Sequence, residues 1–289
     1  MTAGALERAA ALARAAGGVV GFSATRLADG WHVGLREDEL FPTASVIKVP
    51  LLVALFEESL AGRADLAERV TYRAAEKVPG SGVLQDLDDG LTLTLRDLAM
   101  LMITVSDNTA TDLLLARVGK ERVEAAMGRH GLASVRIPFS IRELLHELVD
   151  LPPDPSLYEE ARRRLRVSAG SGGRAIDPAA SDRATPRDLC RLLELIERRA
   201  ILDPPSCDAI LDMLERQKFD TIIPARLPRG TVIAHKTGSL RGVRNDVGVV
   251  HAACGPYAVA ICSRGLPDEV LGVRQLAELS LAVHDLFTS

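Results

Sequence analysis

Strand-like runs occur near both ends of this chain of 289 residues, with a long helical stretch between them. Near the N-terminus, the runs 18–24 and 31–35 flank Asp29-Gly30, a dipeptide that favours a hairpin turn. The remaining β-rich runs come late in the chain, at 231–237, 246–252 and 257–263. Two early and three late strands do not easily form separate stable sheets. We therefore predict one five-stranded antiparallel sheet assembled from both ends of the chain.

The segment between the two groups of strands has an almost purely helical pattern. The apolar run 46–60 is rich in Leu and Ala and is followed by Gly62, so it predicts a buried helix rather than a strand. Thr94 and Asp97 form a capping-box-like start of another helix. These patterns indicate an all-α lobe in the middle of the chain.

The predicted fold class is α/β of the α+β type: a five-stranded antiparallel sheet flanked by helices, with an inserted all-α lobe. Helices are expected at 1–18 and from about 269 to 286. The expected lobes are 1–60 with 202–289 for the sheet and 61–201 for the helices.

Composition excludes several classes of function. The chain has 35 Lys and Arg against 39 Asp and Glu and no long basic run, which argues against a nucleic-acid or membrane partner. No window approaches the roughly 20 apolar residues of a membrane span. The Ala-rich start is interrupted by Glu7, Arg8 and Arg14 and lacks the apolar stretch of a secretion signal. We expect a cytoplasmic location, with a processed precursor as the alternative.

The cysteines show no metal-binding or redox spacing. Cys190, Cys207, Cys254 and Cys262 form no CxxC pair, and no His follows at a zinc-finger spacing. We expect reduced cysteines in the core, no metal and no cofactor.

A hydroxyl and an amine stand three residues apart where the long apolar helix begins. Ser45 and Lys48, in the sequence SVIK, would lie on one face of that helix, a turn apart. The helix N-terminus would stabilise negative charge near Ser45 and favour a neutral Lys48. This spacing suits a nucleophile beside its base, but one SxxK is expected by chance in a chain of this length.

Two tripeptides strengthen that interpretation. Ser106-Asp107-Asn108 lies between predicted helices, where its plain interpretation is a helix N-cap. The tripeptide 236–238, Lys-Thr-Gly, ends a predicted strand, where Lys is a common edge residue. Taken alone, each tripeptide has a purely structural explanation. The occurrence of all three motifs in this order instead favours a catalytic site.

With these motifs, the chain resembles the penicillin-recognising serine hydrolases, specifically their class A β-lactamase branch with its SxxK, SDN and KTG elements. The stretches 95–119 and 184–193 also resemble that family over their whole length. The resemblance implies a serine β-lactamase and penicillin-binding-protein architecture, in which both lobes form one catalytic domain.

The resemblance also implies roles for the residues around the nucleophile. Ser45 would be acylated, and Lys48 would activate it and shuttle its proton. Ser106 would relay a proton to the departing amide nitrogen. The backbone N–H groups of Ser45 and Ser239 would form the oxyanion hole.

Other residues would bind the substrate, a small molecule that carries a carboxylate. By resemblance, Asn108 would bond the amide side chain of the substrate, and Lys236 and Thr237 would hold its carboxylate. Arg244, eight residues after Lys236, is expected to be a second carboxylate anchor.

One departure from the family concerns the deacylating water. The resembling lactamases activate it with a loop glutamate, which this chain lacks between residues 166 and 186. Asp177 is the one carboxylate we nominate as the deacylation base, and Asp182 is expected to form a salt bridge or cap near Thr185. The run Gly170–Gly173 suggests a flexible loop. The nearby acidic positions 143, 147 and 150 are expected to be solvated surface.

Several functions share this machinery. The first is a hydrolase that opens a β-lactam or related cyclic amide through an acyl-serine intermediate, with slow deacylation. The alternatives are an esterase or D-Ala peptidase of the penicillin-binding-protein type, and a β-lactam-binding module that is acylated without turnover. An inactive site is disfavoured by the intact motifs. The physiological substrate and the oligomeric state do not follow from the sequence.

Overall fold

The structure is a computed structural model that describes the backbone of residues 2–288 and the side chains of residue 4 and residues 7–288. Within these residues the strands are β1 (Val19–Arg26), β2 (His32–Leu35), β3 (Phe41–Pro42), β4 (Arg69–Thr71), β5 (Thr92–Thr94), β6 (Arg183–Ala184), β7 (Val232–Leu240), β8 (Val243–Ala252) and β9 (Gly255–Arg264). The helices are α1 (Thr2–Ala15), α2 (Lys48–Leu60), α3 (Leu95–Thr104), α4 (Asn108–Val118), α5 (Lys120–Arg129), α6 (Ile141–Leu148), α7 (Tyr158–Arg166), α8 (Pro186–Glu197), α9 (Pro204–Glu215) and α10 (Glu269–Thr288).

The chain divides into two compact units. One comprises 1–46 with 183–289, and the other comprises 47–182. We call them the sheet unit and the helical unit. Their bounds differ from those of the lobes expected from the sequence, 1–60 with 202–289 and 61–201, and that assignment of lobes stays a prediction.

The sheet unit contains the predicted five-stranded antiparallel sheet, in the order β2-β1-β9-β8-β7. This confirms that strands from both ends of the chain share one sheet. Because side chains alternate along a strand, Val20, Phe22 and Ala24 of β1 lie on the same face of the sheet. That face joins a core with Ala9 and Ala13 of α1 and with Leu279 and Val283 of α10.

Helix α8 contacts β1, β8 and β9. In this contact, Thr25 Oγ1 lies 3.8 Å from Cys190 Sγ. Cys190, Cys207 and Cys262 are buried and reduced, as expected, whereas Cys254 is exposed in the β8–β9 turn. The prediction of a core position for Cys254 is therefore wrong, because the turn lifts it away from the packed strands.

Three element boundaries matter for the site. The KTG tripeptide lies inside β7, which continues to Leu240 instead of ending at Thr237. Strand β8 begins at Val243, three residues earlier than predicted, because β7 and β8 pair up to Leu240 and Val243. Helix α2 begins at Lys48, after a 3₁₀ turn over Ala44–Ile47.

The helical unit is built around α2, which is buried on nearly all sides. It contacts α3, α4 and α5, so its apolar residues form the centre of this unit. The unit is not purely helical, since β4 and β5 pair as a short antiparallel sheet. Thr71 and Thr92, whose hydroxyl oxygens lie 3.1 Å apart, are β-branched residues that favour this pairing.

Candidate active site

The SDN residues lie where α4 begins, in the helical unit. Ser106 has a φ of 55°, in the left-handed region, which is unusual for a residue with a side chain. Asp107 is the N-cap: its Oδ1 accepts the N–H of Ala110 at 2.9 Å. Its Oδ2 accepts the N–H groups of Val83 at 2.7 Å and Leu84 at 2.9 Å. The capping role therefore belongs to Asp107 alone.

Lys48 contacts the first and the last residue of this tripeptide, Ser106 and Asn108. Its side chain is buried, and its Nζ donates to Ser106 O at 2.7 Å, to Ser106 Oγ at 3.1 Å and to Asn108 Oδ1 at 2.9 Å. The amide of Asn108 is fixed in turn, since its Nδ2 donates to Pro79 O at 2.9 Å. The structure thus brings three predicted site residues together within hydrogen-bond distance.

Ser45 lies in the 3₁₀ turn that precedes α2. Its side chain is partly exposed, whereas the residues on either side of it are buried. Ala44, immediately before it, has a φ of 48°, a conformation that costs a non-glycine residue roughly 1 to 3 kcal/mol. The turn is closed by the N–H of Val46, which donates to Thr43 O at 3.1 Å.

A buried amide on β8 holds this turn. Asn245 Nδ2 donates to Pro42 O at 2.8 Å and to Thr43 O at 3.1 Å. Its Oδ1 accepts the N–H of Ser263 at 2.9 Å, so the same side chain is also fixed to β9. Asn245 is wholly buried. It therefore ties the segment before Ser45 to the middle of the sheet.

Strand β7 passes very close to the same turn. A Cβ at Gly238 would lie 2.6 Å from Thr43 O, 3.1 Å from Val46 N and 3.2 Å from Ser45 N. Only a glycine fits this approach. Ser239, next along the strand, is exposed. Its backbone is therefore one residue from the point where the strand touches the Ser45 turn.

Lys236 is fully buried in β7. Its Nζ donates to Thr237 O at 2.8 Å. Burial lowers the pKa of Lys236 to about 7, and the charge of Asp246 opposes this shift. Asp246 is also buried; its Oδ1 lies 2.9 Å from Nδ1 of His235, and its Oδ2 accepts the N–H of Ile223 at 2.9 Å.

The structure does not place Arg244 beside Lys236. In the register of β7 and β8, Arg244 is opposite Ser239, whereas Lys236 is opposite Val247. The guanidinium of Arg244 donates to Leu240 O at 2.6 Å and Val243 O at 2.7 Å and pairs with Glu269 of α10. Because its donors are engaged at the end of the strand, Arg244 is not part of the function proposed below.

The two loop carboxylates have structural surroundings. Asp177 is exposed, and its Oδ1 accepts the N–H of Ala179 at 2.9 Å, which is a turn-forming contact. Asp182 is buried, and its Oδ1 accepts the N–H of Phe139 at 3.0 Å instead of capping near Thr185. Its Oδ2 has no hydrogen-bond partner among the described residues, and burial raises its pKa well above the usual range.

The glycine-rich loop is tied to the end of α6. Asp150 accepts the N–H of Ser171 at 2.7 Å and its hydroxyl at 2.5 Å, and Glu147 accepts the N–H of Arg174 at 3.0 Å. A Cβ at Gly170 would lie 2.5 Å from Val149 Cα. Gly170 therefore allows the loop to pack closely against the end of α6. Asp150 is exposed and Glu147 partly exposed, so both lie at the surface as expected, and their carboxylates also accept hydrogen bonds from the loop.

Sequence reasoning missed two polar residues near these groups. Asn245 lies next to Arg244, and Asp112 lies one helical turn after Asn108. The spacing of four residues on one helix was the available signal for Asp112. Nothing local marks Asn245, since its partners at Pro42 and Thr43 are about two hundred residues away.

Neither a metal site nor a membrane-spanning helix is seen among the described residues. No group of three His, Cys, Asp or Glu side chains among these residues is placed to hold a metal ion. Within residues 2–288, no helix has the length and apolar character needed to cross a bilayer.

Comparison with known structures gives close matches over the whole chain. A β-lactamase from Sphaerobacter thermophilus is 31% identical, with a TM-score of 0.83 over 100% of this chain and 98% of that one. A structure of PBP-A is 28% identical, with a TM-score of 0.80 over 99% and 97% of the two chains. A curated relative, the β-lactamase regulatory protein BlaB of Streptomyces cacaoi, is 28% identical over 85% of this chain and 84% of its own.

The fold and the three motifs therefore define a serine hydrolase of the class A β-lactamase type. A sequence model of the beta-lactamase enzyme family matches residues 5–287, and the chain belongs to that family.

Proposed function

We propose that this hydrolase opens a β-lactam ring through an acyl-Ser45 intermediate and releases the product slowly. The observation that carries the proposal is the buried amine of Lys48, whose Nζ donates to both Ser106 and Asn108. A buried amine needs such oxygen partners. Its contact with the Ser106 hydroxyl at 3.1 Å is a short path for a proton.

In the proposed acylation step, Lys48 is the base and Ser45 the nucleophile. Neutral Lys48 takes the proton of the Ser45 hydroxyl while Oγ attacks the carbonyl carbon of the ring. The backbone N–H groups of Ser45 and Ser239 stabilise the oxyanion. When the C–N bond breaks, Ser106 gives its proton to the ring nitrogen and regains one from the Lys48 ammonium. The product of this half-reaction is an ester of Ser45.

Substrate recognition rests on the KTG strand. Lys236 and Thr237 hold a substrate carboxylate, so the preferred substrate is an anionic small molecule. Lys236 is buried and its pKa is lowered to about 7, so an arriving carboxylate favours its ammonium form and stabilises the complex. Asn108 orients the substrate amide.

Deacylation is the slow step. General-base assistance typically contributes about 10² to 10⁴-fold, and the loop offers Asp177 in a turn and Asp182 buried at Phe139 N. Neither carboxylate is presented as the family glutamate would be. A similar fold forms such an ester: a mutant of PBP-A, 29% identical to this chain, is an acyl-enzyme complex with penicillin G.

One experiment tests the proposal. The protein is mixed with a chromogenic cephalosporin while absorbance and intact mass are recorded together. We expect a burst equal to the enzyme concentration, then a slow steady state, with the mass of a covalent adduct present throughout. Rapid linear turnover without an adduct would contradict slow deacylation, and no adduct with no turnover would contradict the proposal as a whole.

Two variants locate the ester. Ser45→Ala should abolish both burst and adduct, because no nucleophile remains. Ser59 lies near the C-terminal end of α2, the helix that follows Ser45, and Ser59→Ala should behave as the wild type. An adduct that persists in Ser45→Ala would place the nucleophile elsewhere.

A further inference from the structure

Asp112 is a carboxylate close to Lys48 that the proposed reaction does not use. It lies on α4 four residues after Asn108, so both side chains occupy the same face of the helix, one turn apart. Lys48 Nζ donates to Asn108 Oδ1 at 2.9 Å. The residue Asp112 keeps some exposed surface, but its carboxylate is turned inwards, towards the backbone at the start of α6.

The orientation of the Asp112 carboxylate is fixed by the start of α6. Its Oδ1 accepts the N–H of Ile141 at 2.7 Å, and its Oδ2 accepts the N–H of Arg142 at 3.0 Å. Two backbone donors favour the ionised form of a carboxylate. Each oxygen retains a further acceptor position, since a carboxylate oxygen has two lone pairs.

The charges around Asp112 come from three directions. Those of Lys48 on α2 and Arg142 on α6 favour the carboxylate, and Asp182, at the end of the loop, carries a like charge that interacts with it. Burial raises the pKa of Asp112 above its usual value, and the two backbone N–H groups and the charges of Arg142 and Lys48 oppose that rise. The geometric link to Lys48 is Asn108, which accepts a hydrogen bond from the Lys48 amine and lies one helical turn before Asp112.

We propose that Asp112 is a positioning residue of the reaction, the charge partner that stabilises the ammonium form of Lys48. The inference rests on the function proposed above. When Lys48 takes the proton of Ser45, a positive charge develops on a buried nitrogen. A fixed carboxylate one helical turn from Asn108 stabilises that charge.

The test is the pH dependence of acylation by penicillin G, followed by intact mass at short times. Without the carboxylate, Lys48 loses its proton more readily and is a weaker base. In Asp112→Asn, the midpoint of the acylation profile should fall by about 1 pH unit, and the plateau rate should fall as well. Asp112→Glu keeps the charge and should retain a midpoint near that of the wild type.

A matched control removes a carboxylate of similar structural role. Glu124 Oε1 accepts the N–H of Ile137 at 2.6 Å, and Glu124→Gln should leave the midpoint unchanged. Thermal melting shows whether each variant is folded. A folded Asp112→Asn with the midpoint of the wild type would overturn the inference.

A second measurement holds even if Asp112→Asn does not fold. Carboxyl-carbon NMR follows the titration of Asp112 in the wild type and in Lys48→Met. Loss of the ammonium should raise the pKa of Asp112 by about 1 unit, and an unchanged pKa would refute the pairing. This readout needs no acylation. If penicillin G never acylates the wild type, the proposed function fails while the pairing is still tested.

Discussion

Replacing Gly238 by Ala should separate the oxyanion hole from the rest of the site. The added Cβ would lie 2.6 Å from Thr43 O, where ordinary contacts begin at 3.4 Å. The difference, 3.4 − 2.6 = 0.8 Å, is the distance by which β7 or the turn has to move. The atoms that this Cβ would meet, Thr43 O, Val46 N and Ser45 N, all belong to the backbone, so no side chain can relieve the contact by rotating.

This displacement acts directly on the two oxyanion donors. Oxyanion-hole donors work at about 2.7 to 3.1 Å from the oxygen they stabilise, so a shift of this size takes one of them out of range. Loss of one donor costs about 10² to 10³-fold in rate. We expect the acylation rate constant of Gly238→Ala to fall by this factor, whereas the Lys48 contacts within the helical unit are unaffected.

The assay is the rate of adduct formation with penicillin G, with thermal melting as the test of folding. Gly128→Ala is the matched control, because its Cβ would meet nothing within 4 Å and α5 tolerates alanine well. It should acylate at the rate of the wild type. A folded Gly238→Ala that also acylates at that rate would refute the oxyanion assignment.

Three further predictions concern charge. The folded state raises the pKa of Asp182, whereas the unfolded pKa is about 3.9, so between these two values only the folded state keeps the proton. Stability therefore falls as pH rises above about 3.9, by about 1.36 kcal/mol per pH unit, until the folded pKa is reached. Asp182→Asn should therefore melt higher than the wild type near neutral pH and equally at acid pH. KM for a carboxylated substrate should rise above about pH 7, as Lys236 loses its proton, while KM for a neutral ester stays level. Arg244→Ala should lower the melting temperature by breaking the contact with Glu269, yet leave the ratio of the two KM values unchanged.

The sequence predicted the strands because their signals are local. The Asp29-Gly30 turn and the alternating runs indicate β1 and β2, and the pairing of early and late strands follows from their number. The extension of β7 to Leu240 had no such signal. Gly238 is a residue type that is depleted in strands, and only the long pairing with β8 places it and the next two residues in β7.

The parts of the site that escaped prediction depend on contacts between distant residues. The hydrogen bonds of Asp150 and Glu147 with the glycine-rich loop could not be predicted, because spacing on a helix does not show which backbone N–H groups will come near. Arg244 has the spacing expected of an anchor, but Glu269 binds it at the end of the strand. Such assignments need the three-dimensional neighbours of each charge.

The two serines that we propose as catalytic lie in or next to strained backbone that a buried side chain of the same unit holds. Ala44, before Ser45, and Ser106 have φ values of 48° and 55°. Each such conformation costs roughly 1 to 3 kcal/mol and persists only when its surroundings over-determine it. Asn245 does so for the first turn through two contacts with the turn and a third with β9, and Asp107 does so for the second through three backbone contacts. These contacts lie within the protein itself, so under the proposed function binding energy stays available for the transition state.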